Sequence, residues 1–287
     1  MHTTESTRLT WASSPRLGQV LFCLAAAAAA APAAALTNAT VTTTDFTNLG
    51  TLGGANGVLV APNWVLTAAH VAGNSTALVG TSFQSADGSA TVDAAYVFDG
   101  SSNFPDNDIA LVHLSSAINS GALPTLNDSA TNDAMVYFGG DVTLASAQSG
   151  QRSYGFATGL GGTTTYTDPT TSVTSTVNWI LTSGATNTES GDSGSALYLG
   201  KVTDGTGQVL MGLASADGNY LGSNFSAYVD VSAYKSWINQ TIAGSGLSGS
   251  TQTVHWLSAV PESSTFALMS FGLGCMGLAA ARRRRQG

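Results

Sequence analysis

The sequence predicts an all-β body, either a sandwich or a barrel, flanked by apolar segments that lie outside it. Three observations carry this. Short runs of β-branched and apolar residues recur at regular spacing, each bounded by Gly, Asn, Asp or Pro. Gly, Ser, Thr, Ala and Asn stand where charge usually stands: only 9% of the 287 residues are charged while 43% are hydrophobic, enough to bury a sizeable core. Within the body a single stretch repeats its apolar residues at the helical period.

Taken in order, residues 1–35 read as a secretory signal peptide. Arg8 and Arg16 precede the apolar run Leu17–Ala31, and Ala33-Ala34-Ala35 supplies a small-residue cleavage site, so Leu36 is the expected mature start. Strands are expected at 41–44, 57–60, 64–66, 76–79, 91–98 and 109–114, then at 134–138, 153–157, 171–181, 195–199, 209–214 and 227–231. Periodicity does not decide between sandwich and barrel. Ser232–Ile242 is the helix: Tyr234, Trp237, Ile238 and Thr241 fall on one face at i, i+3, i+4 and i+7. Residues 243–259, rich in Gly and Ser at their start, read as a flexible linker. The tail, 260–287, holds Val260-Pro261-Glu262-Ser263-Ser264, an uncharged run Phe266–Ala281 and the cluster Arg282–Arg285. At ~1.5 Å per residue its 16 residues span about 24 Å, short of a ~30 Å hydrocarbon core unless the arginines snorkel.

Charge excludes one class of partner. Between Leu36 and Val260 the only cations are Arg152, Lys201 and Lys235, against 15 Asp and Glu, a net charge near −12. Nucleic-acid binding needs a basic footprint, so no nucleic-acid partner is expected. Cys23 and Cys275 both fall in the flanking segments, which leaves the body without a disulfide or a thiol nucleophile.

The chemistry centres on Gly191-Asp192-Ser193-Gly194-Ser195. By composition it is a turn, since Gly, Asp and Ser dominate turns. It becomes a site if a base can take the serine proton and an acid can orient that base. Thr67-Ala68-Ala69-His70 follows the apolar run 57–66, and Asp108-Ile109-Ala110-Leu111 opens another. Asp106, two residues earlier, is a rival for the acid, whereas His113 alternates within a strand and has no motif around it.

These pieces, TAAH at 67–70, DIAL at 108–111 and GDSG at 191–194, arrive in the order His, Asp, Ser. With Ser226–Val231 running into Tyr234–Ile238, they resemble the trypsin/chymotrypsin-like serine proteases over about residues 50–242. The resemblance implies two six-stranded antiparallel barrels and a C-terminal helix within 36–242: barrel one about 36–130, barrel two about 131–231 and the helix at 232–242. It implies a serine endopeptidase acting on peptide or protein substrates without metal or other cofactor. Ser193 is then the nucleophile, His70 the base and Asp108 its orienting acid, with the N–H groups of Gly191 and Ser193 as the oxyanion hole. Asn187 falls at the base of the substrate pocket, with Ser215, Asp217 and Ser226 on its walls. The non-glycine residues at 217 and 226 predict a small or polar residue before the scissile bond. Asn187 carries no charge to select Arg or Lys, and Asp217 or Glu189 is the alternative source of one. Relatives pair the aspartate at 192 with an amine released by cleavage at a basic residue. Here 36–70 holds no Lys or Arg, and Arg152, a different N-terminus or backbone N–H groups are the candidate partners instead. The competing readings are a catalytically silent binding module and an esterase using the same three residues.

The tail resembles the PEP-CTERM sorting signal of exported bacterial proteins, with Ser263 where that family usually has proline. This implies secretion or delivery to the bacterial cell envelope, an exosortase-like enzyme as partner, and transient membrane contact through residues 266–281.

Overall fold

A computed structural model describes residues 36–100, 104–128, 138–167, 174–203, 208–220 and 222–257. The expected signal segment 1–35, most of the expected strand at 134–138 and the sorting segment 260–287 lie outside the described residues.

Strand β1 (Thr40–Thr42) precedes the first barrel, which is built from β2 (Leu49–Leu52), β3 (Ala55–Ala61), β4 (Trp64–Thr67), β5 (Ser82–Ser85), β6 (Gly88–Val97) and β7 (Ala110–Leu114). These close in the order β2-β3-β4-β7-β6-β5, every neighbour antiparallel. The four-residue helix α1 (Ala69–Ala72) is inserted after β4. After the short β8 (Thr125–Leu126) come β9 (Phe138–Ser146), β10 (Arg152–Thr167), β11 (Thr174–Ser183), β12 (Ala196–Leu199), β13 (Val209–Tyr220) and β14 (Ser223–Asp230). They run β12-β9-β10-β11-β14-β13, and antiparallel pairing of β12 with β13 closes the second six-stranded barrel. A 3₁₀ turn at Val231–Tyr234 leads into helix α2 (Lys235–Gly244), and β15 (His255–Trp256) follows.

The continuous apolar runs of β3, β4 and β7 have a geometric cause. Val58, Val60, Trp64, Leu66, Ile109 and Leu111 join a cluster shared with second-barrel residues such as Ala145, Trp179, Tyr198 and Val229. Their neighbours Leu59, Val65, Ala110, Val112 and Leu114 join Leu52 and Phe83 in a cluster made only of first-barrel residues. With both faces covered, these strands lose the apolar/polar alternation of a half-exposed sheet. Helix α2 buries Ile238 and Ile242, with Tyr234 of the preceding turn, so Ile242 takes the place expected for Thr241.

Several expectations change. Residues 76–79 form a turn: the Asn74 carboxamide oxygen accepts from Thr76 N at 3.0 Å and Thr76 Oγ1 at 2.7 Å, a local bonding pattern that competes with strand. Strands β2 and β5 were not anticipated, because Gly50 and the polar residues of Ser82-Phe83-Gln84-Ser85 hide their pattern. β9 runs on to Ser146 through Gly139 and Gly140, past residue 138, where the expected strand ends.

The flexible linker expected at 243–259 is instead ordered as far as Leu257 and folded back onto the first barrel. Trp64 Nε1 donates to Gly249 O (3.1 Å), and the Gln252 amide pairs with Asn63, accepting from its N–H (3.0 Å) and donating to Oδ1 (2.8 Å). The buried His113 ring bridges the Asp93 carboxylate and Ser248 O. β15 then pairs in parallel with β8. Gly and Ser signal flexibility only while their backbone groups face water; here barrel side chains hold them.

Gln252→Ala strips two hydrogen bonds from the buried Asn63, and leaving such groups unpaired costs about 1–3 kcal/mol each. A lower urea midpoint with unchanged slope is the expected result.

Candidate active site

Strand β4 ends at Thr67 and α1 begins at once, which places His70 on the rim of the first barrel. The Asp108 carboxylate reaches it twice: Oδ1 accepts from His70 N and Oδ2 meets His70 Nδ1, each at 2.8 Å. A carboxylate only accepts, so Nδ1 carries the proton and Nε2 is left as the basic nitrogen. The Ser215 hydroxyl donates to the same Oδ2 at 2.6 Å. Asp108 has no exposed surface, whereas the His70 side chain keeps 30% of its own and so stays reachable. The Phe104 ring stands edge-on to the imidazole, centroids 5.8 Å apart. The rival Asp106 makes no hydrogen bond or ion pair with His70 among the described residues.

Burial lowers the His70 pKa, but the hydrogen bond to Asp108 and the charge of that carboxylate outweigh it, so the net shift is upward from 6.5.

Ser193 is half-buried, and its hydroxyl makes no hydrogen bond within 3.5 Å to another described residue. Its position is fixed through the backbone. Asn56 N donates to Ser193 O (2.9 Å), and Gly194 N and Ser195 O pair with the backbone of Ala214, next to Ser215. Gly194 is required here: its φ is +76°, and a Cβ would lie 2.2 Å from Asn56 O and 2.3 Å from Thr67 Oγ1. That close approach seats the serine turn against the end of the strand that leads to His70. Across the turn, Asp192 N donates to Glu189 O and Ser195 N to Asp192 O, both at 2.9 Å. The N–H groups of Gly191 and Ser193 have no acceptor among the described residues.

Arg152 is not the partner of Asp192. Its Nε donates to Asp45 O (2.8 Å) and its Nη2 to Thr43 O (2.5 Å), fastening β10 to the chain after β1. The buried Asp192 accepts from Ser146 Oγ (2.5 Å) and Glu189 N (2.9 Å) instead. Burial pushes its pKa up to about 6; these two hydrogen bonds pull it down, and the charges of Glu189 and Asp217 add to the rise. Of the expected alternatives it is the backbone N–H that is found, at Glu189, joined by the Ser146 hydroxyl, which no spacing in the sequence announces.

Of the expected pocket residues, Asn187 is buried; its Nδ2 donates to Gly184 O at 3.2 Å and its Oδ1 has no partner among the described residues. Ser226 accepts from Thr188 N at 2.8 Å and stands opposite Asp217 in the β13–β14 register. Asp217 is exposed as a whole residue, but partial desolvation of its carboxyl group, together with the Glu189 charge, raises its pKa. Ser215, expected on the pocket wall, also donates its hydroxyl to Asp108, which links that wall segment to the buried carboxylate. Sequence reasoning missed Asn56, Ser146 and Gln148. Only Asn56 leaves a trace, as a polar residue directly before the apolar run 57–66.

A comparison with protein-family models matches residues 38–238 to the model described as Trypsin. A comparison with curated proteins finds no match.

In proton NMR the His70 ring is expected to titrate above 6.5. Asp108→Asn removes the charge but leaves the burial, so the midpoint should move down.

Proposed function

The chain belongs to the trypsin family and is a serine endopeptidase, and from that premise we propose that Ser193, His70 and Asp108 carry the reaction. Ser193 Oγ attacks the scissile carbonyl carbon while His70 Nε2 takes its proton. The N–H groups of Gly191 and Ser193 receive the developing oxyanion, at ~3 kcal/mol per donor. His70 hands the proton to the departing amine and leaves an acyl group on Ser193; water, deprotonated by the same imidazole, then hydrolyses that ester. Asp108 holds the tautomer and faces the imidazolium that forms in each half.

The observation that supports this reading best is the buried Asp108 carboxylate accepting from His70 N, His70 Nδ1 and Ser215 Oγ. A structural aspartate needs donors, but it does not need a half-exposed imidazole whose other nitrogen is left basic.

Asn187, Ser215, Asp217 and Ser226 line the pocket in this reading, with a small or polar residue preferred before the cleaved bond. The enzyme is exported from a bacterium: residues 1–35 are removed, and the tail 260–287 is sorted by an exosortase-like partner after residues 266–281 engage the membrane. N-terminal sequencing and intact mass of the exported protein test this, with Leu36 as the first residue and the tail absent as the expected result.

Ser193→Ala should lower kcat by about 10⁴–10⁶-fold and abolish labelling by a fluorophosphonate probe. Labelling elsewhere, or turnover that survives the substitution, would overturn the assignment.

A further inference from the structure

The reading above needs the Gly191 N–H turned towards the substrate. That N–H belongs to the 190–191 peptide, which ends on a glycine with φ +100°. Glycine offers little resistance to rotation of that peptide plane. A flip would present Ser190 O to the oxyanion in place of the donor.

One contact opposes the flip. Gln148, in the 3₁₀ turn Gln148–Gly150 between β9 and β10, donates from Nε2 to Ser190 O at 3.1 Å. A trans peptide is planar, with its C=O and N–H pointing in opposite directions. Holding Ser190 O therefore aims Gly191 N away from Gln148. The next two planes are held in the same way: Gly191 O accepts from Asn56 Nδ2 and Asp192 O from Ser195 N, both at 2.9 Å. The second of these frees the Ser193 N–H on the opposite side of its plane.

Gln148 is a costly residue to keep in that place. It is 2% exposed, and its Oε1 has no partner among the described residues. A buried amide with one end unsatisfied loses stability relative to an apolar side chain of the same shape. The donor at its other end is the one function visible for it.

We propose that Gln148 is a positioning residue for peptide hydrolysis, pinning the 190–191 peptide so that the oxyanion hole stands formed in the resting chain without a newly released N-terminal ammonium. This rests on the assignment of Gly191 and Ser193 as the oxyanion donors. Asp192 supports it: Ser146 Oγ and Glu189 N already occupy its carboxylate, the group an ammonium would otherwise have to hold.

The test uses the exported enzyme with Gln148→Met, which keeps the length of the side chain and loses the donor, and Gln148→Glu. For Gln148→Met, kcat should fall about 10- to 100-fold, below the 10²–10³ of losing an oxyanion donor outright, with KM within about twofold. Inhibition by a peptide aldehyde, which forms the same oxyanion, should weaken in step. For Gln148→Glu, the ratio of its kcat to that of the parent at each pH should climb as the pH falls, because the protonated carboxyl regains a donor. Parental kcat in Gln148→Met, or a ratio for Gln148→Glu that is flat with pH, overturns the proposal. Fluorophosphonate labelling of the parent at Ser193 separates the two failures: a labelled parent with indifferent Gln148 variants sinks this inference alone, and an unlabelled parent sinks the site assignment beneath it.

Discussion

The site depends on a carboxylate that water cannot reach. Asp108 has no exposed surface, and an ionised carboxylate so placed must find donors within the protein. It finds three, and they come from both halves of the molecule. His70 supplies its backbone N–H and Nδ1 from the end of the first barrel, and Ser215 supplies its hydroxyl from β13 of the second. One group therefore fixes the orientation of the imidazole and the registry of the barrels together. The same β13 segment, through Ala214, holds Gly194 and Ser195, so the turn carrying Ser193 is referenced to that carboxylate.

Around this point the second barrel contributes neutral hydrogen-bonding groups in place of a salt bridge. Asn56 serves both barrels: its amide N–H and carboxamide hold Ser193 O and Gly191 O, while its Oδ1 accepts from Ala147 N at 2.8 Å. Ser146 and Gln148, on either side of Ala147, take Asp192 and Ser190. The stretch 146–148 thus holds two residues of the serine loop directly, and two more through Asn56. Hydrogen bonds to a charged group are the stronger kind, and here they serve a carboxylate whose pKa burial raises.

Much of this was legible in the sequence wherever a side chain's role depends on its immediate neighbours. Thr67–His70, Asp108–Leu111 and Gly191–Gly194 are local signatures, and β3, β4 and β7 announced themselves because both of their faces are covered. β2 was not legible, since Gly50 is chosen for space: a Cβ there would meet Gln84 O at 2.4 Å. Asn56, Ser146 and Gln148 were hidden for a different reason. Each acts on a residue at least 42 positions away, and pairing at that range has no period to read. Arg152 shows the converse hazard, a lone cation assigned to a lone anion when backbone carbonyls claimed it first.

The strap after α2 bears on the order in which the molecule can be completed. Asn63 and Gln252 are 189 positions apart, and Trp64 waits for Gly249 in the same way. The N-terminal half of a chain normally folds as it emerges. Here its barrel is left with open polar groups until almost the last described residue has appeared. A ribosome would therefore release an unfinished half long before its closing piece, and the finished architecture needs the chain through Gln252.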